Sequence, residues 1–369
     1  MKVALLVPGG VDRSGTHRVI PCLLALIKRL VGQGDEVHAF SLHHEPEPGR
    51  WSLLGALVHN AGRRPRSART LWSMLREHRR ARFDVIHAVC YVNRTAAVGA
   101  AGSWITGAPL VLTLVDGEVA NHPRIGFGGQ ITRKSRWGLR TAARRARTVT
   151  TQSDFTRDLA ARAGIPARTV ILGVDLTTWP VLSPRPRVSG APLRLLHVGR
   201  FTPVKDQATL LEAMAILRRA GQRFELEIVG DGALDATIKQ AVRRLELDDA
   251  VRFSPAMPQA ELRPWFERAD LLVVSSIHES GPMVALEAAI AGVPTVGTAV
   301  GYVSDWAPRA ALAVPVMDPD ALAAAIAELG QDESRRLDLA AAAQGIATRF
   351  DADRTAQMMR QIYREAAAA

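Results

Sequence analysis

Two glutamates frame a short segment in the second half of the chain that predicts the start of a helix. Glu279 and Glu287 have seven residues between them, and Gly281 and a proline lie in that interval. Proline suits the first helical turn, and glycine allows a ligand close to the backbone. The free amides of Met283 and Val284 would then form an anion site. A diphosphate could bind there while the carboxylates reach different hydroxyl groups. On spacing alone, one capping and one solvated carboxylate is the simpler interpretation.

A second candidate loop follows a predicted strand at 193–198. It contains Gly199, Arg200 and Lys205 and leads into the next helix. Ligands of open α/β sheets bind at the carboxyl ends of such strands. Arg200 can bind phosphate oxygens in a bidentate manner and Lys205 can add a point charge, so the two could replace a metal ion. The simpler alternative is a pair of surface cations.

The elements that position these loops follow an alternating pattern of short β-rich runs and helix-length stretches, which predicts parallel sheets with crossover helices. Strands are expected at 2–7, 36–41, 85–88, 110–114, 148–151 and 169–172, then at 193–198, 224–229, 251–253, 271–275, 295–297 and near 313. Helices are expected at 17–33, 206–220, 234–245 and 284–291, among others.

Domain boundaries follow from the same pattern. A segment rich in proline and small residues at 183–192 predicts a linker. It separates an N-terminal domain at 1–182 from a C-terminal domain at 193–350. A helix is expected at 351–369, and the pattern leaves open whether it packs back on the first domain. The length of 369 residues also favours two domains with a cleft between them.

Composition excludes several classes of protein. With 47% hydrophobic and 22% charged residues, the chain is typical of a soluble globular protein. The two cysteines each lie in an apolar segment, so neither a disulfide framework nor a cysteine metal site is expected, and a cytoplasmic location is predicted. The charge-free run at 95–115 could span a bilayer by length, but glycines and a proline divide it into a helix, a turn and a strand.

The net charge of +11 is concentrated in the first half. Residues 1–185 contain 27 basic and 12 acidic residues, a balance of +15, and the remainder contains 20 and 24, a balance of −4. Such a field attracts anionic lipids or phosphorylated acceptors. Nucleic acid is disfavoured as a partner because no binding module is present. The basic segments 63–80 and 133–140 fit contact with an anionic membrane as well as they fit core packing beneath solvated arginines.

Five sequence elements, in order and spacing, resemble those of the retaining glycosyltransferases of family 4. They are His197-Val198-Gly199-Arg200, Lys205, Val229-Gly230-Asp231-Gly232, Ala269-Asp270-Leu271, and Glu279 with Glu287. The segments 152–156 and 173–175 resemble the family near its domain boundary, so the resemblance covers nearly the whole chain. It implies the α/β class and the GT-B fold, in which two Rossmann-like domains face each other across a cleft.

The resemblance also implies an activity and a set of roles. It implies transfer of a sugar from a nucleotide diphosphate, with a UDP- or GDP-sugar as donor, no metal and no cofactor. The acceptor would be a lipid, a glycan or a small molecule, and the anomeric configuration would be retained. Arg200 and Lys205 would bind the diphosphate, Glu287 the ribose hydroxyls and Glu279 the transferred sugar. Backbone contacts would come from Gly199, Gly281, Met283 and Val284.

The sequence departs from the family at two places in the first half. The family commonly has a histidine facing the sugar after the strand at 110–114, where this chain has Val115. Asp116 could orient the acceptor or the sugar instead, although an Asp-Gly turn is the simpler interpretation. Ser14 and Gly15 occupy the position of the family's paired glycines in a loop facing the cleft, which makes both candidates for substrate contact.

Two alternative functions stay open on the sequence alone. The absence of a histidine at position 115 allows a catalytically inactive GT-B protein that binds a nucleotide sugar. The same resemblance also allows another GT-B enzyme, such as a nucleotide-sugar epimerase. A dehydrogenase is disfavoured because the Gly-x-Gly-x-x-Gly fingerprint is absent.

Overall fold

The protein is described by a computed structural model that covers residues 1–42, 44–90 and 93–368. These residues form two compact units. The first comprises Met1–Asp175 with Phe350–Ala369, and the second comprises Leu176–Arg349. The linker expected at 183–192 therefore lies inside the second unit.

Hydrogen bonds explain why the proline-rich segment belongs to the second unit. The Arg185 guanidinium donates to the carbonyl oxygens of Phe266 and Ala269, at 3.2 and 3.0 Å. The Arg187 amide donates to a carboxylate oxygen of Glu333 at 2.8 Å. Composition predicted a linker here, and these two arginines attach the segment to helices that follow it in the chain.

The first unit is built on an eight-stranded sheet. Its strands are β1 (Lys2–Val7), β2 (Glu36–Ser41), β3 (Gly49–Leu53), β4 (Ala56–Asn60), β5 (Val85–Cys90), β6 (Leu110–Leu114), β7 (Thr148–Thr151) and β8 (Arg168–Thr169). They lie in the order β3-β4-β2-β1-β5-β6-β7-β8, and only β3 and β4 pair antiparallel. Its first five helices are α1 (Pro21–Gly32), α2 (Arg66–Arg80), α3 (Asn93–Thr106), α4 (Arg133–Arg145) and α5 (Asp154–Arg162).

Helices α2, α3 and α4 form a layer on one face of this sheet. Neighbouring helices of the layer pack against each other, and their apolar sides meet strand residues of one parity, because successive side chains of a strand alternate between faces. Leu6, Leu110 and Leu112 of the strands are fully buried there with Met74 of α2 and Leu139 of α4. The outer sides of the three helices remain exposed to solvent.

Three local predictions for the first unit were wrong. The β3–β4 hairpin was not expected, since its turn at Leu54 lacks the usual Asn-Gly or Asp-Gly pair. Helix α1 begins at Pro21 and not at residue 17, because the preceding loop closes on itself: the Ile20 amide donates to the Gly10 carbonyl oxygen at 3.2 Å. Strand β8 ends at Thr169 and not at residue 172.

The second unit has a six-stranded, fully parallel sheet. Its strands are β9 (Leu193–Val198), β10 (Phe224–Val229), β11 (Val251–Ser254), β12 (Leu271–Val274), β13 (Thr295–Thr298) and β14 (Ala311–Val314). They lie in the order β11-β10-β9-β12-β13-β14. Its helices are α6 (Gln207–Arg219), α7 (Asp235–Arg244), α8 (Gln259–Arg268), α9 (Met283–Ile290), α10 (Gly301–Trp306), α11 (Pro319–Gln331) and α12 (Glu333–Arg349). The strand order is that of a Rossmann fold.

The last helix, α13 (Ala352–Ala368), belongs to the first unit. The Tyr363 hydroxyl lies 2.7 Å from Nδ1 of the buried His87 in β5. Arg360 pairs with the carboxylate of Asp35 at 2.7 Å. A buried polar contact and an ion pair thus attach the C-terminal helix to the first sheet. Residue 369, which the prediction included, lies outside the described residues.

Candidate active site

The loops that follow β9 and β12 lie side by side in the second unit. These two strands are neighbours at the point where the strand order of the sheet reverses, which is where open α/β sheets bind ligands. The Ile277 amide donates to the Val204 carbonyl oxygen at 2.8 Å, and the Ser275 hydroxyl donates to the Lys205 carbonyl oxygen at 2.9 Å. The two loops that carry most of the predicted site are therefore joined.

The structure brings Lys205 and Glu279 into direct contact. The Lys205 Nζ lies 2.5 Å from Oε1 of Glu279, and the Ser276 hydroxyl donates to the same oxygen at 2.6 Å. The side chains are 24% and 13% exposed, so the pair is partly shielded from solvent. The sequence assigned these two residues separate roles, and their pairing is a finding of the structure.

Glycines set how closely the loops approach one another. Gly230, after β10, has a φ of +155°, and a Cβ there would lie 2.0 Å from the carbonyl oxygen of Gly199. Gly301, the first residue of α10, has a φ of +49°, and its Cβ would lie 2.9 Å from Pro282 and 3.1 Å from the carbonyl oxygen of Glu279. Side chains at these positions would force the site loops apart.

Arg200 has an anchored backbone and an exposed side chain. Its carbonyl oxygen accepts a hydrogen bond from Nε2 of Gln207 at 3.1 Å, and that nitrogen also lies 3.3 Å from the ring of His197. Burial lowers the pKa of His197 to about 4, so the ring is neutral at physiological pH. In the described part of the chain no carboxylate pairs with the Arg200 guanidinium. This arginine is therefore available to an anion.

Helix α9 begins at Met283, and Pro282 is its N-cap residue rather than part of its first turn. No side chain caps this end of the helix. The first amide bonded back to the cap is that of Ala285, which donates to the Pro282 carbonyl oxygen at 2.9 Å. The amides of Met283 and Val284 precede it, and both residues are half-buried, as is Gly281. This helix end has the donors and the dipole that an anion needs.

Glu287 lies inside α9 and is only 3% exposed. Its Oε1 accepts a hydrogen bond from Nε2 of Gln259 at 2.5 Å, and its carbonyl oxygen accepts one from the Trp179 indole at 2.9 Å. Burial raises the pKa of Glu287 to about 7, against the smaller opposing effect of Gln259. The simpler interpretation of the glutamate pair was wrong, since Glu279 is ion-paired and Glu287 is not solvated.

Two family models match the chain. Residues 184–345 match the family described as Glycosyl transferases group 1, and residues 19–175 match the Glycosyl transferase 4-like domain. A D-inositol 3-phosphate glycosyltransferase of Arthrobacter sp. (strain FB24) is 30% identical in an alignment that covers 80% of this chain and 76% of that protein. This chain belongs to the group 1 glycosyl transferases. A glycogen synthase of Mycobacterium tuberculosis is 28% identical in an alignment that covers 91% of this chain and 80% of the glycogen synthase.

Solved structures support the fold of this glycosyltransferase. A sucrose-phosphate synthase from Thermosynechococcus elongatus superposes with a TM-score of 0.83 at 20% identity, over 99% of this chain and 98% of that one. Anabaena HepE, solved in complex with UDP-glucose, superposes with a TM-score of 0.76 at 20% identity, over 99% of this chain and 100% of that one. Identities this low show the fold alone. The predicted family and the GT-B class with two Rossmann-like domains are confirmed.

In the first unit of the glycosyltransferase, Ser14 closes its own loop. Its hydroxyl donates to Oδ1 of Asp12 at 2.7 Å and accepts the amide of His17 at 3.1 Å. Gly15 follows in the left-handed region, with a φ of +69°. His44 contacts the other oxygen of Asp12 at 2.9 Å, and these bonds lower the pKa of that carboxyl. The loop has a defined shape, but the Ser14 hydroxyl is occupied by it.

Glu118 is a buried carboxyl that the sequence analysis missed. It is 2% exposed, and its Oε2 accepts the amide of Asp116 at 3.0 Å. Burial, followed by the nearby charge of Asp116, raises the pKa of Glu118 to about 8. The expected Asp-Gly turn is displaced, because the Ala120 amide bonds to the Gly117 carbonyl oxygen instead. In the sequence, a single glutamate in a loop looks like a solvent-exposed charge, so the burial of Glu118 becomes visible only in the folded structure.

The described residues also bear on the expected absence of a metal site and of a membrane span. In residues 1–42, 44–90 and 93–368 no three His, Cys, Asp or Glu side chains come together as a metal site would require. Across the same residues, no helix combines the length and the apolar character needed to cross a bilayer. The run at 95–115 forms α3 and β6 with the turn between them.

Proposed function

We propose that this glycosyltransferase transfers a sugar from a nucleotide-diphosphate donor to a lipid, glycan or small-molecule acceptor, without a metal ion and with retention of anomeric configuration. The observation that carries the proposal is the contact between Lys205 and Glu279 where β9 and β12 end. This contact places a cation that can bind phosphate beside a carboxylate that can bind sugar hydroxyl groups. The exposed Arg200 lies in the loop that also contains Lys205.

The charges of the site suit a departing diphosphate. A lysine ammonium has three N–H donors, and Glu279 occupies one of those of Lys205, so two stay available for phosphate oxygens. Arg200 adds a fork of donors, and the amides of Met283 and Val284 add the positive end of a helix dipole. Preorganised donors of this kind stabilise the negative charge that develops on a leaving group.

The two glutamates suit the two ends of a nucleotide sugar. Oε1 of Glu279 is used by Lys205 and Ser276, which leaves Oε2 for a hydroxyl group of the transferred sugar. Glu287 in its ionised form would accept both ribose hydroxyls. In the proposed step the bond from the anomeric carbon to the phosphate breaks and the bond to the acceptor oxygen forms on the same face. The acceptor proton passes to the leaving phosphate, so no protein nucleophile is required.

We assign acceptor contacts to Ser14, Gly15 and Asp116 of the first unit. The Ser14 hydroxyl is held by its loop, so its contribution would come through the backbone of the Ser14-Gly15 turn. The amide of Asp116 is fixed by Glu118, which orients this part of the chain. Because relatives are named for D-inositol 3-phosphate, that compound is the first acceptor to test.

The decisive experiment is a donor screen with purified protein. UDP-glucose, UDP-N-acetylglucosamine and GDP-mannose are each incubated with an acceptor panel, with and without EDTA, and the products are identified by mass spectrometry and NMR. Arg200→Ala should lower kcat/KM by about 100-fold or more, which is typical for loss of one group that stabilises a transition state. Glu287→Ala should also lower kcat/KM, because it removes the acceptor for the ribose hydroxyls and weakens donor binding. Arg219→Ala, an exposed arginine of α6, is the matched control and should match the wild type.

Each other outcome identifies a different function. Full activity in both site variants would show that the assignment is wrong. Donor binding without transfer or hydrolysis would indicate a binding protein, and an epimerised sugar would indicate an epimerase. Loss of activity in EDTA that added metal restores would contradict metal independence.

We also propose that the first unit contacts an anionic membrane. Trp72, Trp104 and Trp137 are 63%, 79% and 71% exposed on α2, α3 and α4, which form one layer. Four arginines recur every three or four residues along α4 and therefore share one side of it: Arg133, Arg136, Arg140 and Arg144. Exposed tryptophans among arginines are typical of helices that lie at a lipid headgroup boundary.

Vesicle sedimentation tests the membrane proposal. Binding should be stronger to phosphatidylcholine mixed with phosphatidylglycerol than to phosphatidylcholine alone, and should weaken with salt. Trp104→Ser and Trp137→Ser should each reduce it, whereas Val188→Ser, which alters a 64% exposed residue of the second unit, should not. Equal binding to both vesicle types, or none to either, would refute the proposal.

A further inference from the structure

A separate cavity lies in the first unit between α2 and the β3–β4 hairpin. Its volume is about 540 Å³, within the range of small-molecule sites. None of the residues assigned to sugar transfer lines it. Its lining includes the side chains of Arg50, His59, Arg69, Trp72, Ser73 and Arg76.

The cavity carries two cations without a carboxylate partner. Arg50 pairs at 3.2 Å with Glu77, a carboxylate that it shares with Arg80. Arg69 donates only to backbone carbonyl oxygens, such as that of Arg63 at 3.1 Å. Arg76 lies 5.6 Å from the ring centroid of Trp72. Among the described residues no carboxylate pairs with either Arg69 or Arg76, and no carboxylate lines the cavity.

A chain of hydrogen bonds runs from the exposed Glu36 through the buried rings of His38 and His59 to Ser73. Glu36 lies 2.8 Å from Nε2 of His38, His38 Nδ1 lies 3.0 Å from Nε2 of His59, and His59 Nδ1 lies 3.3 Å from the Ser73 hydroxyl. When His38 is neutral, each ring donates towards Glu36, and Ser73 donates to His59. The lone pairs of Ser73 are then left for a donor in the cavity, such as a ligand hydroxyl.

His59 adds no charge to this cavity near neutral pH. Burial, followed by the charge of Arg50, lowers the pKa of His59 to about 3. The cationic character of the site therefore comes from its arginines, which stay protonated at all physiological pH values. Two uncompensated guanidinium groups match the charge of a phosphate monoester, about −1.5 to −2, better than the single charge of a carboxylate.

We propose that this cavity binds a phosphate monoester carried on a hydroxylated carbon skeleton. Arg69 and Arg76 hold the phosphate, because planar guanidinium groups bind phosphate oxygens in a bidentate manner. Ser73 accepts a hydrogen bond from a hydroxyl group of the skeleton, and the exposed ring of Trp72 at the rim of the cavity contacts its apolar side. The cavity contains none of the residues assigned to sugar transfer, so binding to it can be measured whether or not the protein transfers a sugar.

Calorimetric titration of the full-length protein tests the proposal. The probes are glucose 6-phosphate, unphosphorylated glucose, and dihexanoyl phosphatidic acid as a soluble lipid with the same phosphate chemistry. Glucose 6-phosphate should saturate one site per chain, and glucose should bind at least about tenfold more weakly, because hydrogen bonds to charged groups are worth about 1.5–3 kcal/mol. Tighter binding of the lipid than of the sugar phosphate would identify a headgroup as the source, and weaker binding would identify a soluble metabolite.

Variants separate this cavity from the donor site. Arg69→Gln and Arg76→Gln should each weaken binding about tenfold or more, and Ser73→Ala should weaken it less. Arg79→Gln, an exposed arginine on the same helix that does not line the cavity, should have no effect. Arg200→Ala should also have no effect, since it alters only the donor site. Thermal melting of each variant checks that the first unit still folds.

Two results would overturn the inference. One is the absence of saturable binding of either phosphate probe. The other is binding that Arg69→Gln and Arg76→Gln leave unchanged, since the phosphate would then occupy the donor site, if Arg200→Ala abolishes the binding, or the acceptor site, if it does not. The absence of binding to the cavity would leave the proposed sugar transfer untouched, and an inactive Arg200→Ala enzyme would not bear on the cavity.

Discussion

Lowering the pH from about 8 to about 6 should weaken binding of the nucleotide sugar about tenfold through Glu287 alone. Burial raises the pKa of Glu287 to about 7. A carboxyl group that accepts hydrogen bonds from two ribose hydroxyls must be ionised, so protonation competes with the donor. Affinity should therefore increase as the pH increases through 7 and become constant above it.

The magnitude follows from the fraction of Glu287 that is ionised. With a pKa of about 7, that fraction is about nine tenths at pH 8 and about one tenth at pH 6. The dissociation constant should therefore be about tenfold larger at pH 6 than at pH 8, which corresponds to about 1.4 kcal/mol of binding free energy. Of the two site glutamates, Glu287 is the one whose hydrogen-bonded oxygen faces an uncharged amide, that of Gln259.

The assay is calorimetric titration at several pH values with the nucleotide sugar that the donor screen identifies. A nucleotide sugar is preferred to a free nucleoside diphosphate because a terminal phosphate titrates near pH 6 and would obscure the effect. Glu287→Gln is the informative variant, since it keeps the shape and removes the titration. It should bind about 10- to 100-fold more weakly than wild type at pH 8 and show no dependence on pH over this range.

Two results would refute this reasoning. If the wild-type dissociation constant is the same at pH 6 and pH 8, Glu287 does not bind the donor in its ionised form. If Glu287→Gln keeps the wild-type slope, another group titrates. Glu212→Gln, an exposed glutamate of α6, is the control for a general effect of charge and should leave both affinity and slope unchanged.

Three further predictions concern stability. Because burial raises the pKa of Glu118 to about 8, its protonated form stabilises the folded state at low pH, and this contribution is lost as the pH rises from about 4.5 to about 8. Urea unfolding should therefore show a free energy of unfolding that falls by a few kcal/mol over this range, and Glu118→Gln should reduce the fall. Tyr363→Phe removes the hydroxyl partner of the buried His87 and should cost about 1–3 kcal/mol, measured by thermal melting with Tyr302→Phe as a second variant. Gly230→Ala should lower both the melting temperature and donor affinity, because its Cβ would meet the carbonyl oxygen of Gly199; unchanged values would contradict the close approach of the two loops.

Much of the second sheet was predictable because its strands are continuous apolar runs separated by helix-length segments. Strands β9 and β10 have the predicted bounds, and the helix that follows Pro282 starts one residue before the prediction. The β3–β4 hairpin was missed because its strands are five residues long and its turn lacks a strong sequence pattern. Local composition also suggested a linker where long-range bonds from Arg185 and Arg187 attach the segment to the second unit.

The candidate site was predictable as a set of residue types but not as a set of contacts. Spacing assigned Lys205 to phosphate and Glu279 to sugar, and nothing in the sequence indicated that the two side chains lie 2.5 Å apart. Glu118 was missed for the converse reason. Its character depends on burial by a loop that includes Gln130, whose side chain donates to the Glu118 carbonyl oxygen, and burial of this kind is not encoded by neighbouring residues.

The two site glutamates differ in environment far more than their sequence spacing indicates, and this difference gives each a distinct chemistry. Glu279 receives a hydrogen bond from a lysine and another from a serine at one oxygen, so its position is tied to the cation that would hold the diphosphate. Glu287 is a buried residue of α9 and accepts one hydrogen bond from an amide. Because burial raises its pKa to about 7, its charge changes near neutral pH. A donor that contacts both would therefore meet an ion-paired carboxylate at its sugar and, at its ribose, a carboxyl group whose charge changes near neutral pH, which is why pH should alter donor affinity through Glu287.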